Sequence, residues 1–279
     1  MKSLIQDIKK KKELSAISDK FVKDHLINYF KQNPKIKTKL EKSLNPKSAV
    51  YKKVVKEIRA KLRRVYGLFR EDNTKQQLEL IKTLKGRNLA LRILETHSST
   101  KERLPIYEKL YHNIFQITGE PKTVLDLGSG INPFSYIFMK VKNLNYHTFD
   151  LSNHEVSLIN IFFKQQSING TAKVLDLLEL KESKNTKKTG ASKKLPEADV
   201  AFLFKMTDAL DQGKGHKTTE IILTKIPAKF VVVSFATKTM SGKKMTAPRR
   251  SWMEWLCKRV GYTYKILEFT NEIFYVIRK

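Results

Sequence analysis

The chain has 279 residues, 41% hydrophobic and 29% charged, enough to bury a core in one large or two ordinary domains. Its one cysteine, Cys257, excludes an internal disulfide and a multi-cysteine metal site, and no stretch approaches the roughly 18–20 consecutive apolar residues of a membrane span. A net charge of +28 creates a field that gathers polyanions; nucleic acid fits it better than an anionic membrane, because no amphipathic helix carries a bulky aromatic face.

The amino terminus lacks the apolar centre of a secretion signal, so the cytoplasm is the expected compartment. Phe21, Val22, His25, Leu26, Tyr29 and Phe30 recur at three-and-four spacing and predict an amphipathic helix, interrupted at Asn33-Pro34 and again at Asn45-Pro46. Residues 50–69 predict a longer helix with Val54, Ile58, Leu62 and Val65 on one stripe. Lys52, Lys53, Lys56, Arg59, Lys61, Arg63 and Arg64 occupy its other face. A further helix is predicted over 75–95. Residues 1–105 hold 28 Lys/Arg against 11 Asp/Glu, and residues 106–279 hold 27 against 16. Several basic helix faces on one small domain suit RNA docking; a lysine-biased composition, 44 Lys to 11 Arg, is the bland alternative.

Beyond Glu120 the periodicity changes. Strands are predicted at 123–127, 146–149, 172–175, 200–204 and 230–235, with helices at 132–141, 153–166 and 216–225 between them. This alternation predicts a parallel α/β sheet, and 264–268 with 273–277 predict an antiparallel pair at its end. The polar segment 181–194 (KESKNTKKTGASKK) reads as a mobile surface loop. Trp252 and Trp255, three residues apart in a late helix, read as core rather than as base-stacking residues.

The chemistry concentrates at 124–133 (VLDLGSGINP). A buried strand ends in Asp126; Gly128 and Gly130 let the backbone turn and approach a ligand; Asn132 reads as an N-cap and Pro133 suits a first helical turn. A dinucleotide site wants a third glycine where Pro133 stands. D-x-G-x-G in this setting is instead similar to motif I of S-adenosyl-L-methionine methyltransferases. Asp150 ends the second strand, placed for ribose hydroxyls, and Asp176 ends the third, where such enzymes meet the adenine amino group. The fourth strand runs out through Phe204 into Lys205, facing the reactive methyl. Neither an N/D-P-P-Y/F sequence nor a Pro-Cys nucleophile occurs there, which suits a reaction needing no base, such as attack by a guanine N7 lone pair.

Six stretches together resemble the aminoglycoside-resistance 16S ribosomal RNA methyltransferases that modify guanine-1405 at N7. They are 61–69 (KLRRVYGLF), 97–107 (HSSTKERLPIY), 125–133 (LDLGSGINP), 199–206 (DVAFLFKM), 231–239 (VVVSFATKT) and 271–279 (NEIFYVIRK). The resemblance implies an α/β fold: a class I (Rossmann-like) seven-stranded mixed sheet over 106–279, and a basic all-helical domain over 1–105 that docks on the small ribosomal subunit. It implies S-adenosyl-L-methionine as cofactor. Arg103 would meet its carboxylate, Gly128, Ser129 and Gly130 its methionine part, Asp150 and Leu151 the ribose, and Asp176 with Leu177 the adenine, with Asp126, Phe204 and Lys205 completing the cofactor set. Lys205, Lys238 and Glu272 fall where the family keeps residues needed for activity near the target guanine. Departures exist: Ser129 stands where cysteine is frequent, Lys238 where arginine is usual, and the lysine-rich loop is longer. The expectation is a monomeric N7-guanine methyltransferase of 16S RNA, without membrane or metal partners. A methyltransferase for another ribosomal or transfer RNA position, or an inactive RNA-binding relative, is the alternative.

Overall fold

Apolar side chains at three-and-four spacing fold the amino-terminal region into four helices: α1 (Lys2–Lys9), α2 (Asp19–Gln32), α3 (Pro34–Lys42) and α4 (Ala49–Leu62). The structure is a computed structural model that describes every residue except 16, 64–72, 183–194, 212–214, 239–242 and 247. Ser18 and Ser48 cap α2 and α4, each accepting a hydrogen bond from the backbone N–H three residues on. Val54, Ile58 and Leu62 pack against Ile8, Phe21 and Leu26, while Lys52, Lys53, Lys56 and Arg63 stay exposed on the opposite side. The predicted continuation of α4 through residue 69, with Arg64 and Val65, lies outside the described residues, as does nearly all of the lysine-rich loop.

Among the described residues four further helices precede the sheet: α5 (Thr74–Thr83), α6 (Gly86–Leu94), α7 (Ser98–Arg103) and α8 (Tyr107–Thr118). The single helix predicted over 75–95 is thus two. Leu84 is extended and Gly86 turns left-handed at φ 57°, a conformation that glycine adopts without a Cβ clash.

Among the described residues seven strands follow: β1 (Thr123–Leu127), β2 (Asn145–Asp150), β3 (Gly170–Val174), β4 (Ala198–Phe204), β5 (Ala228–Ala236), β6 (Thr263–Glu268) and β7 (Glu272–Arg278). Their order is β3-β2-β1-β4-β5-β7-β6, the first five parallel and β7 antiparallel to both neighbours. This is the seven-stranded mixed sheet expected from the sequence. Strand order reverses between β1 and β4, where open α/β sheets form a ligand crevice at the carboxyl ends of the strands. The remaining helices are α9 (Asn153–Gln165), α10 (Glu179–Glu182), α11 (Thr207–Asp211), α12 (Lys217–Lys225) and α13 (Ser251–Arg259). Val124 and Phe202 point to the face covered by α6, α8 and α9; Leu125, Ala201 and Leu203 point to the face covered by α12 and α13.

Three further sequence expectations need correction. Residues 132–141 do not form an α-helix; Asn132–Phe138 is a 3-10 helix, and Asn132 makes no capping hydrogen bond. Trp252 is packed, stacked on His216 with ring centroids 3.7 Å apart, but Trp255 is 76% exposed. The division drawn at residue 105 falls inside one core: Ile81, Leu89, Ile93 and Leu94 are buried with Tyr107, Val124 and Tyr146, whereas the amino-terminal cluster ends at Leu62. The apolar stripes of α5 and α6 are thus buried with the sheet and not with the amino-terminal cluster.

A fragment beginning at residue 73 should therefore unfold cooperatively in urea, followed by circular dichroism. One beginning at 106 loses those four buried side chains, each worth roughly 2–3 kcal/mol, and should not. Equal cooperativity in the two fragments would contradict this packing.

Candidate active site

The loop after β1 forms the floor of a cleft at the β1–β4 switch point. Gly128 and Gly130 take φ of 66° and 53°, the left-handed region that side chains other than glycine's avoid. A Cβ on Gly128 would lie 2.4 Å from the Met206 Cε, so substitution there meets both strain and a clash. Asp150 ties this loop to the end of β2: its Oδ2 accepts from the Gly130 N–H at 2.9 Å and its Oδ1 from the Ser152 N–H at 2.8 Å. Asp176 accepts from the Leu178 N–H at 2.9 Å, and burial pushes its carboxyl up to about 6 against the pull of that hydrogen bond. Ser129, Leu151, Leu177 and Phe204 also line the cleft. Thr148 orients Ser129 through a 2.6 Å hydrogen bond.

Asp126 is buried at the end of β1, and one oxygen, Oδ2, accepts from both Asn132 Nδ2 (2.9 Å) and the Tyr146 hydroxyl (2.7 Å). Burial raises its carboxyl to about 6, with those two hydrogen bonds pulling the other way. Asn132 in turn accepts from the Tyr107 hydroxyl at 2.9 Å. Asn132 thus braces the loop from within instead of capping a helix.

Arg103, at the end of α7, lines the cleft and is 3% exposed. Its Nε donates at 2.8 Å to Oε2 of Glu272, itself 1% exposed at the start of β7. Burial alone would lower the guanidinium's pKa; Glu272, with Tyr107, more than reverses that and keeps the charge fixed. The Arg103 guanidinium also sits 4.9 Å over the Phe204 ring. The second Glu272 oxygen accepts from the Ser234 hydroxyl at 2.5 Å, and Ser234 Oγ accepts from the Lys205 N–H at 3.0 Å. Lys205 leaves β4 with φ 53°, strain that persists only where surrounding contacts impose it. Its side chain is largely covered, with Nζ 2.9 Å from Glu102 and 3.5 Å from Glu272.

Every expected cofactor residue lines this one cleft: Arg103, Asp126, Gly128, Ser129, Gly130, Asp150, Leu151, Asp176, Leu177, Phe204 and Lys205. Of the three expected catalytic residues, Lys205 and Glu272 are brought together at 3.5 Å and Lys238 is not. Lys205 reaches the cleft, Glu272 lies behind Arg103 and Lys205, and Lys238 stands outside, bridged to Lys244 in the segment after β5. Sequence reasoning missed His97, which lines the cleft 3.3 Å from the buried Glu155, and Ser234, Tyr107 and Glu102, which hold the named residues. Only their place within or beside matched stretches marked them.

The donor and acceptor set fits an adenosyl amino acid. A fixed guanidinium stands ready for a carboxylate, two Cβ-free positions allow close backbone approach, and carboxylates at the ends of β2 and β3 can take hydroxyl and amino donors. Asp126 gives a pH test. Its pKa is raised from about 3.9 in an unfolded chain to about 6, so its favourable contribution is full below about pH 4 and lost as pH rises through about 6. An amide oxygen can keep both hydrogen bonds. The stability of Asp126→Asn relative to the parent should therefore rise between pH 4 and 6, by up to about 3 kcal/mol in urea unfolding; a difference flat with pH would contradict the assignment.

Comparisons with known proteins agree with this geometry. The sequence is 26% identical over 254 residues to a 16S rRNA (guanine(1405)-N(7))-methyltransferase of Proteus mirabilis, covering 82% of this chain and 85% of that protein. It is 25% identical over 241 residues to the enzyme of the same description from Micromonospora echinospora, covering 81% and 82%. The fold matches the crystal structure of 16S rRNA methyltransferase RmtF in complex with S-adenosyl-L-homocysteine, with a TM-score of 0.75 at 21% identity over 100% of this chain and 97% of that one. The 16S rRNA methylase RmtB gives 0.72 at 20% identity, over 100% and 98%. The model of the ribosomal RNA methyltransferase (FmrO) family matches residues 33–276, and the chain belongs to that family.

Proposed function

We propose that this chain transfers a methyl group from S-adenosyl-L-methionine to N7 of guanine 1405 in 16S ribosomal RNA, and that the modification confers aminoglycoside resistance. The observation that carries the reading is the fixed Arg103 guanidinium facing the glycine loop across one cleft, with Asp150 and Asp176 at the next two strand ends. When bound, the cofactor supplies an electrophilic sulfonium methyl. Arg103 holds its carboxylate, Gly128, Ser129 and Gly130 line its methionine part, Asp150 with Leu151 takes the ribose, and Asp176 with Leu177 takes the adenine. Asp126 acts behind the loop and Phe204 beneath Arg103.

A guanine N7 carries a free lone pair and needs no general base, so orientation and electrostatics carry the acceleration. Lys205, held between Glu102 and Glu272, orients the base from the end of β4. Glu272 acts through Arg103 and Lys205, and Lys238 reaches the RNA from the rim. The amino-terminal helices, with 18 Lys/Arg against 6 Asp/Glu over residues 1–62, dock on the small subunit. Among the described residues no helix is long and apolar enough to cross a membrane, and we place the protein in the cytoplasm as a monomer.

Small subunits incubated with the protein and methyl-labelled cofactor should yield N7-methylguanosine, with strand cleavage mapping it to position 1405. Label at another nucleotide would shift the assignment to another RNA site. No label, together with no cofactor binding in calorimetry, would refute every methyltransferase reading.

Arg103→Ala and Asp150→Ala should weaken cofactor affinity about tenfold or more, since each removes a charged hydrogen-bond partner. Lys205→Ala should lower kcat and leave cofactor affinity within about threefold. Lys205→Gly should be as inactive yet more stable than Lys205→Ala by about 1 kcal/mol, because glycine relieves the left-handed strain. Equal cofactor affinities across Arg103→Ala, Asp150→Ala and the parent would overturn the binding roles.

A further inference from the structure

We propose that Trp255 is a stacking platform for an unpaired nucleotide of the RNA substrate, beside the base presented to the cleft. This deepens the function above and rests on it. Trp255 is 76% exposed, well beyond Leu44 at 46%, the next most exposed large apolar side chain among the described residues.

Its surroundings select the occupant. Residues 243–259 contain six Lys/Arg and one acidic residue, Glu254. That carboxylate is taken up by Arg249 at 2.9 Å and by the hydroxyls of Tyr264 and Tyr275. Lys258 and Arg259, three and four residues on, share the exposed helix face with Trp255. Arg259 pairs with Glu220, and Lys258 has no ion pair among the described residues. An indole ring beside an unneutralised cation fits a nucleotide, whose base stacks while its phosphate meets the lysine.

The helix also stands in the right place. Arg250, just before α13, donates to the carbonyl of Ala236, which pairs with Glu272 across β5 and β7. Trp252 lies edge-on to Phe235 at the end of β5, and Trp255 is about one helical turn further along. The amino-terminal bundle abuts the other flank: Ile17 bridges to Ser152, and Lys20 pairs with Glu179. The bundle and α13 thus flank the strand ends on opposite sides of the cleft, so that RNA engaging both would lie across it. A base drawn out of its stack to reach a buried cofactor leaves its neighbour's face uncovered, and an exposed indole can take that place.

The test measures affinity for small ribosomal subunits, the salt dependence of that affinity, and cofactor affinity by calorimetry. Trp255→Leu should raise the subunit Kd about tenfold, while Trp255→Phe stays within about threefold of the parent. Lys258→Ala should lower the salt slope by about one unit and Trp255→Leu should leave it unchanged. Cofactor affinity should not move in any variant. Parental affinity in Trp255→Leu, or equal losses in the Leu and Phe variants, would overturn the proposal. So would a parent that sediments as a dimer and a Trp255→Leu monomer with unchanged subunit affinity, which makes this face a contact between copies. A parent that binds subunits but does not methylate them defeats the function above and leaves the stacking measurement readable.

Discussion

A guanidinium and a carboxylate meet at 2.8 Å beneath the carboxyl ends of the central strands, and the geometry of the cleft depends on them. Arg103 and Glu272 are 169 residues apart, both nearly inaccessible to water. Such a pair offsets its desolvation only when the remaining lone pairs and protons are also satisfied. On the carboxylate side they are: the second oxygen of Glu272 takes the Ser234 hydroxyl, and Ser234 takes the Lys205 N–H. A single carboxylate thereby fixes the cation that faces a ligand and the left-handed residue that follows β4. Removing it would leave a buried guanidinium without its partner, at a cost of about 3–5 kcal/mol.

Tyr107 extends this strut to the glycine loop. Its hydroxyl binds Asn132, Asn132 binds Asp126, and the ring stacks between Tyr111 and Phe138. Tyr107 also contributes to the charged state of Arg103. The loop that approaches a ligand and the arginine that would grip it are therefore positioned by one continuous buried network. Asn132 and Pro133 set how the loop leaves β1, which is a tighter specification than the two glycines alone provide.

Strand identity and order of elements were legible because alternation, glycine turns and apolar runs are local features. The acidic residues of the cofactor cleft were readable for the same reason: Asp126, Asp150 and Asp176 stand at or just beyond the carboxyl ends of β1, β2 and β3, and parallel strands in register bring those ends together, whereas Arg103 was marked only by the family resemblance. What depends on distant partners was not legible. Glu272 was expected beside the target and lies behind Arg103, because its burial is set by β5 and α7 and by nothing near it in sequence. The domain division was misplaced for the same reason, since α5 and α6 carry apolar stripes that fit a sheet as well as a bundle. Trp252 and Trp255 share three-residue spacing, yet only the first finds His216 and Phe235 within reach.

The most direct test of this account is a double-mutant cycle on the affinity for S-adenosyl-L-homocysteine, measured by calorimetry for the parent, Arg103→Ala, Glu272→Ala and the double variant. If Glu272 acts on the ligand through Arg103, the double variant binds no more weakly than Arg103→Ala, and the two losses do not add. Losses that add in full would show that Glu272 contributes to binding independently of Arg103, and would contradict the central role given to their pairing.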